Sequence, residues 1–454
     1  MLLKKLLHIL QNLNYENYPF LKYAYSRPAW WKLENRGRLI WTPKSKALYS
    51  LSLILVLVTL AISWYEFKLF IIAIIFITVI LLPFYLILAN IILKPLDYFL
   101  KNSIIKKGGR ILDDLPITVI GIAGSYGKTS AKEILKTILG EKYSVIATPE
   151  NVNTDIGIAE FIVQRKKELA EAKIFIVEMG AYRTGEIAKI CRLVSPDYSI
   201  LTGINEAHLE KFGRLENTIS AKFELPLNTK NFSLLNFNDA NVKNNCGKFP
   251  LENFAGADSA QAANIKFLNN FAGLEFEYHG LKFSTSLLAG HNIDLIILAY
   301  ELAKRLGLTD EQIVRAVKKI KPIKHRLQPI HNHAAGIWII DDSYNGNAAG
   351  FKSGLEVLSR AAGRKIALTP GLVEQGEKTA AIHEQIGKLY SAAADLVLLV
   401  DNRSSRHLLS ALKQEKFNNY RVYASAKEAH DDLKNILRPG DTIIFQNDWP
   451  DAYF

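Results

Sequence analysis

A glycine-rich segment, Gly121–Ser130 (GIAGSYGKTS), carries the residue types that bind phosphate groups. A run of β-branched residues before it predicts a strand over Pro116–Ala123, and a helical pattern continues after it to about Leu139. A glycine-rich turn between strand and helix lets backbone N–H groups approach phosphate oxygens, and the helix N-terminus adds a favourable dipole. In such a turn Lys128 would contact the β- and γ-phosphates, and the Thr129 hydroxyl would bind Mg²⁺. The segment therefore predicts a nucleotide site.

The glycine spacing of this segment differs from the common P-loop. That loop needs a glycine where this chain has Ile122, whereas the glycines here are Gly121, Gly124 and Gly127. The alternative interpretation of the pattern alone is a structural turn without a ligand. If the turn binds a nucleotide, the residues expected to contact it are Gly124, Ser125, Gly127, Lys128, Thr129 and Ser130.

Further polar residues follow predicted strands downstream. Glu178 ends the apolar run Ile174–Val177, and His208 lies beyond the strand predicted over Tyr198–Ile204. Both positions belong to the carboxyl edge of an α/β sheet, where ligands bind. The simpler alternatives are an exposed surface glutamate, a structural histidine with ordinary partners and, for Lys222 on its predicted helix, a solvated lysine.

Several motifs in one order make the chain resemble a known family. The pattern G-x-x-G-x-x-G-K-T-S is similar to the ATP loop of the Mur ligases and folylpolyglutamate synthases. The matching segments that follow are Asn151–Gly157 (NVNTDIG), Ile174–Ala181 (IFIVEMGA), Asn205–Glu210 (NEAHLE), Ala221–Glu224 (AKFE), Leu234–Asp239 (LLNFND), Gly290–Asn292 (GHN), His325–Gln328 (HRLQ) and Asp341–Asn347 (DDSYNGN). The resemblance covers roughly residues 111–450, and the Glu-Met-Gly-Ala and Asp-Asp-Ser-Tyr-Asn elements indicate the MurF branch.

The resemblance implies an ATP- and Mg²⁺-dependent ligase that activates a carboxylate as an acyl phosphate, which an amine then attacks. It implies that Thr129, Glu178 and His208 associate with the metal. It also implies that Lys128, Lys222 and His208 are catalytic, and the family lysine that matches Lys222 is carbamylated. Both chemical steps bring negative charges together, so cations and metal ions are expected to carry the catalysis.

The same resemblance implies how the substrates are bound. Asn292 would contact adenine (the alternative is a helix cap), Arg326 the ATP phosphates and Asp342 the ribose. The residues assigned to the acceptor carboxylate are Asn151, Asn153 and Thr154, and Tyr344 and Asn345 are further residues assigned to the substrate. The acceptor would be a UDP-linked or lipid-linked peptidoglycan precursor, and the amine an amino acid or a dipeptide such as D-Ala-D-Ala.

Two departures from the MurF pattern leave the amine open. Gly371 stands where aspartate is usual, and Gln446-Asn447-Asp448 stands where Lys-Gly-Ser is usual. The alternatives are an amidating enzyme of the MurT type with a glutaminase partner, another amino-acid ligase acting on a lipid-linked precursor, and a membrane-tethered nucleotide-binding scaffold without catalysis.

The element pattern predicts an α/β fold with two domains in the matching region. A P-loop domain is expected over residues 111–322, followed by a Rossmann-like C-terminal domain over residues 323–454. The strands predicted for the C-terminal domain are Gly336–Asp341, Lys365–Leu368, Asp395–Val400, Arg421–Ala424 and Thr442–Gln446.

Residues 1–110 are predicted to form a membrane anchor. Residues 47–65 and 69–93 are each apolar and long enough to cross a bilayer, with Pro83 kinking the second span. Basic residues flank the pair, which predicts a hairpin in a bacterial cytoplasmic membrane with both termini and the catalytic domains in the cytoplasm. Trp30, Trp31 and Trp41 would form an interfacial belt, and residues 2–13 a helix lying in the interface.

Composition agrees with this anchor. The net charge of +12 is largely explained by basic residues near the spans, which argues for lipid headgroups and against nucleic acid. Cys191 and Cys246 lack metal-ligand spacing, which indicates a reducing compartment. Because only 46 residues precede the first span, the usual Mur ligase domain for the uridine-diphosphate group is not expected. Oligomeric state is left open.

Overall fold

The fold is described from a computed structural model of the chain. It describes residues 2–13, 15–26, 39–66, 71–206, 212–344, 346–372, 375 and 378–447. The predictions for Trp30, Trp31, His208 and Asn345 fall outside these residues. The described residues form two compact units, one ending at Ser103 and one beginning at Ile104.

The first unit is helical. Its helices are α1 (Leu2–Asn12), α2 (Asn17–Ser26), α3 (Pro43–Glu66), α4 (Ile71–Ile80) and the first part of α5 (Leu82–Asp113). Helices α3 and α5 are long and apolar enough to cross a membrane. The second predicted span corresponds to α4 and the beginning of α5. A break at Leu81 separates these two helices, close to Pro83, because proline cannot donate to the helical ladder.

The apolar side of α1 differs from the prediction of a helix lying on lipid. Leu6, Leu7 and Leu10 are fully buried and belong to one cluster with Phe20 and Leu48. The leucine stripe therefore packs against other helices of this unit, since an amphipathic helix buries its apolar face against whichever apolar surface is nearest. By contrast, the most apolar part of α3 is only 11% buried.

The second unit begins with the end of α5. Gly108 packs closely on helix α7 (Asp155–Gln164), where an added Cβ would lie 3.2 Å from Ala159 Cα. Ile111 and Leu112 are buried in the core of this unit. The basic linker predicted to end at residue 110 is thus helical, and its last turns belong to the core.

A six-stranded parallel sheet with the order β2-β3-β1-β4-β5-β6 forms the middle of this unit. Its strands are β1 (Thr118–Ala123), β2 (Val145–Ala147), β3 (Ile174–Glu178), β4 (Tyr198–Leu201), β5 (Phe232–Asn236) and β6 (Phe254–Ala257). The register places Ile122 beside Glu178, so β1 and β3 end at the same edge. Strand β4 ends at Leu201, earlier than the predicted Ile204, because Thr202 and Gly203 hydrogen-bond to the phosphate loop instead.

Helices cover both faces of this sheet, as expected for strands buried on both sides. They are α6 (Lys128–Leu139), α7 (Asp155–Gln164), α8 (Lys166–Glu171), α9 (Glu186–Val194), α10 (Leu215–Leu227), α11 (Ala240–Asn245), α12 (His291–Arg305) and α13 (Asp310–Lys318). A three-stranded antiparallel sheet follows β6 and has no counterpart in the sequence prediction: β7 (Ala263–Leu268), β8 (Gly273–Tyr278) and β9 (Leu281–Thr285).

The C-terminal sheet has the order β10-β11-β15-β12-β13-β14. Its strands are β10 (Gln328–Asn332), β11 (Ile337–Asp342), β12 (Lys365–Thr369), β13 (Leu396–Val400), β14 (Tyr420–Tyr423) and β15 (Thr442–Gln446). The intervening helices are α14 (Ala348–Ser359), α15 (Thr379–Ala393), α16 (Arg403–Gln414) and α17 (Ala426–Ile436). The five predicted strands are present, whereas β10, an antiparallel edge strand, was not predicted. The predicted α/β class with a P-loop domain and a Rossmann-like domain is confirmed.

Candidate functional site

The phosphate loop joins β1 to α6 and has little room for side chains. Gly124 has a φ of 154°, and a Cβ there would lie 2.1 Å from Thr202 Oγ1. Gly127 has a φ of 74° and precedes α6, where no side chain caps the helix. Because the first N–H groups of a helix lack intrahelical partners, this uncapped end can bind an anion. Lys128 Nζ donates to the loop's own Gly124 carbonyl at 2.9 Å.

Residues that the sequence analysis did not select hydrogen-bond to the loop and fix its position. Thr202 Oγ1 donates to the Tyr126 carbonyl at 2.5 Å, and Ser125 N donates to the Gly203 carbonyl at 2.8 Å. The Tyr126 hydroxyl donates to Asp239 Oδ2 at 2.6 Å. These contacts join the ends of β1, β4 and β5 and fix the loop shape independently of any ligand.

Glu178 is the centre of a polar cluster at the end of β3. Its carboxylate accepts from Thr129 Oγ1 at 3.0 Å, from Lys132 Nζ at 3.2 Å and from Asn153 Nδ2 at 3.3 Å. Its backbone N–H donates to Thr148 Oγ1 at 3.1 Å. The structure thus brings together Thr129 and Glu178, the two described residues predicted to bind a metal. His208, the third, lies outside the described residues.

Lys132 is a residue of this cluster that the sequence analysis missed. Its side chain is fully buried and pairs with Glu178, 46 positions away. The available signal was its position one helical turn after Lys128, on the apolar face of α6. A buried lysine needs a carboxylate partner, but nothing local to the sequence identified Glu178 as that partner.

The charged groups of this cluster shift one another's pKa values. Burial alone would raise the pKa of Glu178, but Lys128, Lys132 and the hydrogen bonds to the carboxylate outweigh it and lower that pKa. Burial lowers the pKa of Lys128, Glu178 opposes this, and the charge of Arg326 lowers it further. Two cations, Lys128 and Arg326, therefore lie near each other with one carboxylate nearby, an arrangement that an anionic ligand would stabilise.

Lys222 lies on α10 with its side chain buried. Its Nζ donates to the Ala181 carbonyl at 3.2 Å. Burial, assisted by the charge of Lys128, lowers the pKa of Lys222 to about 7, against the opposing effect of Glu186 and Glu224. A large fraction of this lysine is therefore the neutral, nucleophilic amine near neutral pH.

Arg326 approaches the same region from the loop before β10. Its Nε is buried and has no hydrogen-bond partner among the described residues, and its guanidinium lies 4.1 Å from the centroid of the Tyr344 ring. The Tyr344 hydroxyl donates to Asn151 Oδ1, a residue 193 positions earlier in the chain. Predicted phosphate and acceptor residues thus meet here.

The remaining predicted residues lie close to these elements. Asn292 is buried in the first turn of α12, and Thr154 caps α7 by accepting from Gly157 N at 3.3 Å. Asp342 ends β11 and accepts from Leu327 N at 3.3 Å. Burial raises the pKa of Asp342 to about 7 in spite of the nearby Arg326.

At the edge of the C-terminal sheet, uncharged side chains tie the loops together. Asn447 Nδ2 donates to the Gly371 carbonyl at 2.6 Å, and its Oδ1 accepts from Gly346 N at 3.1 Å. His383 Nε2 accepts from Leu372 N at 2.9 Å. Gly371 has a φ of 85°, and a Cβ there would lie 2.9 Å from His383 Nε2. An aspartate in place of Gly371 would therefore require this loop to move.

The residues present fit a nucleoside triphosphate and a divalent cation. The uncapped end of α6, the cramped Gly124 and the unpartnered Arg326 Nε are the features that phosphate oxygens require. A hydroxyl from Thr129 and a carboxylate from Glu178 are oxygen ligands of the kind that Mg²⁺ takes together with substrate phosphates. The described residues contain no cluster of three or more His, Cys, Asp or Glu side chains that could hold a metal ion without such help.

Comparison with known families adds two matches. The model described as "Mur ligase middle domain" matches residues 122–303, and the one described as "Mur ligase, glutamate ligase domain" matches residues 325–446. Together they include the central and C-terminal sheets and almost every residue of the site.

Known proteins and solved structures agree with these matches. The UDP-N-acetylmuramoyl-tripeptide–D-alanyl-D-alanine ligase of Escherichia coli is 30% identical over 346 residues, covering 70% of this chain and 73% of that protein. The enzyme of the same name from Bacillus subtilis is 25% identical, covering 74% of each. MurF of Thermotoga maritima in complex with ADP superimposes with a TM-score of 0.67 at 25% identity, covering 76% of this chain and 80% of that one.

Proposed function

Because the chain belongs to the Mur ligase family and is an ATP-dependent ligase, we propose that it joins D-alanyl-D-alanine to the free carboxylate of a muramoyl tripeptide. ATP supplies the phosphoryl group that converts this carboxylate into an acyl phosphate with release of ADP. The amine of the dipeptide then attacks the acyl carbon, an amide bond forms and phosphate leaves. The reaction belongs to peptidoglycan precursor synthesis.

The observation that carries this proposal is the meeting of Lys128, Glu178 and Arg326, which come from three separate segments. Lys128 and Arg326 would neutralise negative charge on the phosphates. The buried Nε of Arg326 has no hydrogen-bond partner among the described residues and can donate to a phosphate oxygen. Thr129 and Glu178 would hold Mg²⁺, which supplies further charge neutralisation. We assign Asn292 to adenine and Asp342 to ribose, and place His208 with the metal ligands.

We assign Asn151, Asn153 and Thr154 to the acceptor side of the site. Asn153 supports this assignment because it reaches the Glu178 carboxylate and its carbonyl accepts from Gly180 N at 2.7 Å. The acceptor carboxylate would therefore approach next to the metal-binding carboxylate. The amine would enter from the edge of the C-terminal sheet, near Gly371 and Asn447.

We further propose that Lys222 is carbamylated. Its buried side chain with a pKa of about 7 supports this, because carbon dioxide reacts with the neutral amine and the resulting carbamate is an anion. Purified protein equilibrated with ¹³C-bicarbonate should give one carbamate signal in its ¹³C NMR spectrum. The signal should be absent in Lys222→Met and present in Lys230→Met, which changes an exposed lysine. Identical spectra for all three proteins would contradict the proposal.

The test of the reaction is ADP release from the purified full-length chain with Mg²⁺, ATP, UDP-linked muramoyl tripeptide and D-Ala-D-Ala. ADP release should require both the acceptor and the amine, and the product mass should equal the acceptor plus the dipeptide minus water. ADP release that depends on neither substrate would contradict the proposal. Turnover with ammonia or with a single amino acid, but not with the dipeptide, would instead favour an amidating enzyme or another amino-acid ligase.

We propose that the chain works at a bilayer and that its acceptor is lipid-linked. Support comes from α3, α4 and the first part of α5, where many large apolar side chains are exposed: Leu53, Ile54, Leu57, Ile62, Ile72, Phe76, Phe84, Leu88, Ile91 and Ile92. An apolar surface of this extent is typical of a membrane or protein contact. In nanodiscs the lipid-linked acceptor should be used at least about 10-fold better than the UDP-linked one. Equal or better turnover of the soluble substrate would contradict this part of the proposal.

A further inference from the structure

Tyr344 has two contacts that its predicted role as a substrate residue does not use. Its ring lies under the Arg326 guanidinium at 4.1 Å, and its hydroxyl donates to Asn151 Oδ1. Its backbone N–H donates to the His325 carbonyl at 3.3 Å, next to Arg326 in the chain. The ring and the hydroxyl therefore contact protein groups that belong to two different parts of the site.

The ring contact restricts an otherwise flexible side chain. Arginine has many rotamers, and an arginine whose Nε has no partner among the described residues lacks a hydrogen bond to fix it. A face-on aromatic ring limits the plane of the guanidinium to a narrow range. Tyr344 thus holds Arg326 ready for the phosphates before they bind.

The hydroxyl of Tyr344 contacts the segment that is assigned to the acceptor. Asn151 adopts a left-handed conformation with a φ of 66°, in the turn that precedes Asn153. Asn153 in turn contacts the Glu178 carboxylate. The segment that contains Asn151 is therefore fixed to the end of β3, and Tyr344 reaches it from the C-terminal domain.

We propose that Tyr344 is a positioning residue that couples the phosphate-binding arginine to the acceptor segment. The inference rests on the proposed ligase function and assigns Tyr344 a role different from that of a substrate ligand. When the hydroxyl is bonded to Asn151, the ring lies under Arg326, so the arginine and the acceptor segment reach their working positions together. This alignment is required because the acceptor carboxylate must attack the phosphate that Arg326 holds.

The ring and the hydroxyl can be tested separately by nucleotide binding. Tyr344→Leu removes the stacking and should weaken ATP affinity, measured by calorimetry on the full-length chain, by about 5- to 10-fold. Tyr344→Phe keeps the ring and should change ATP affinity less than about 2-fold. Tyr420→Phe, which removes a hydroxyl from a strand of the same domain, is the matched control and should behave as wild type.

The hydroxyl is tested by the kinetics of the ligase reaction. Tyr344→Phe should raise the KM for the acceptor by about 3- to 10-fold and leave the KM for ATP unchanged. Asn151→Gly, which removes the amide and tolerates the positive φ, should raise this KM at least as much, because Asn151 is also assigned to the acceptor side. The double variant should be no worse than Asn151→Gly, because both substitutions remove the same bond.

The outcomes separate this inference from the ligase function. Wild-type affinity for ATP in Tyr344→Leu, or additive effects in the double variant, would overturn the inference while acceptor-dependent ADP release still stood. Conversely, a wild-type chain without acceptor-dependent ADP release would refute the ligase function, and the ATP affinities would still decide the role of the Tyr344 ring. Thermal unfolding of each variant identifies a folding defect. Should Tyr344→Leu unfold, Tyr344→Met, which also removes the ring but has a longer, unbranched side chain that adapts to the space, decides the point by the same affinity measurement.

Discussion

The carboxyl edges of the two six-stranded sheets differ in the kind of side chain that they present. At the central sheet Lys128, Lys132 and Glu178 form a charged cluster that depends on hydrogen bonds and a facing arginine. At the C-terminal sheet the loops after β12 and β15 are joined by neutral groups, Asn447 and His383, and the charged Asp342 lies at the end of the neighbouring β11, near Arg326. Phosphoryl transfer gathers negative charge and so needs cations, whereas an incoming amine must arrive uncharged to act as a nucleophile. The two edges thus suit the two halves of one ligation.

The two sheets also differ in the charge of the buried group that titrates near pH 7. Lys222, beside the central sheet, and Asp342, at the end of β11, each have a pKa of about 7, reached from opposite directions because burial disfavours either charge. Both groups therefore reduce the stability of the fold when they are charged, and they do so in different pH ranges.

The largest effect is expected from removing charge at the central edge. Lys128→Ala should lower kcat/KM for ADP release by about 100- to 1,000-fold, because the developing phosphate charge loses a cation placed to receive it. Lys136→Ala, an exposed lysine on the same helix, is the matched control. A loss of less than about 5-fold in Lys128→Ala would mean that the charged edge does not hold the phosphates.

The pH dependence of stability should reveal Lys222. Its pKa is about 7 when folded and 10.5 in the reference state, so between these values the unfolded chain binds more protons and stability rises with pH. In buffer free of carbon dioxide, the free energy of unfolding of the wild type should rise relative to that of Lys222→Met from about pH 7 to pH 9. The rise should be roughly 1 kcal/mol per pH unit. The measurement is the difference in thermal unfolding between the two proteins, and a difference independent of pH would contradict the buried amine.

Asp342 should show the opposite sign. Its pKa is about 7 when folded and 3.8 in the reference state, so between these values the folded chain binds more protons and stability falls as pH rises. Wild type should therefore lose stability relative to Asp342→Asn from about pH 4 to pH 7, by at most roughly 1 kcal/mol per pH unit. Calorimetric unfolding of both proteins across this range measures it. A difference in free energy of unfolding between the two proteins that does not change with pH would show that Asp342 is solvated and ionised.

The smallest effect is expected at the neutral loops of the C-terminal sheet. Asn447 has a φ of 70°, so Asn447→Gly removes its two side-chain hydrogen bonds without straining the backbone. The KM for the amine should rise by about 3- to 10-fold while the KM for ATP stays unchanged. Lys416→Gly, at an exposed position with a φ of 56°, is the matched control. Equal changes in both KM values would mean that the two edges do not divide the substrates.

Much of the site could be predicted because its signals are local or ordered along the chain. Gly124 and Gly127 stand where the loop needs positive φ, and Glu178 ends an apolar run that predicts a buried strand. The missed elements have weaker signals. Strand β10 is short and carries His331 and Asn332, and β7 has mostly exposed residues, so neither shows a clear alternation of apolar and polar positions.

The partners of the site residues could not be predicted. Lys132 pairs with a carboxylate 46 positions away, and Tyr344 contacts a residue 193 positions away. The leucine side of α1 was expected on lipid but found protein partners, because amphipathicity specifies an apolar contact and not its identity.

The sequence by itself determined the phosphate loop, the strands that precede this loop and end at Glu178, and the residue types available for ligation. These depend on backbone sterics and on periodicity among near neighbours. Only the tertiary structure decided that Lys222 is buried enough to lose its proton near pH 7, and that Arg326 stacks on Tyr344 beside Asn151. Desolvation and charge pairing depend on which distant segments meet, and sheet topology brings those segments together.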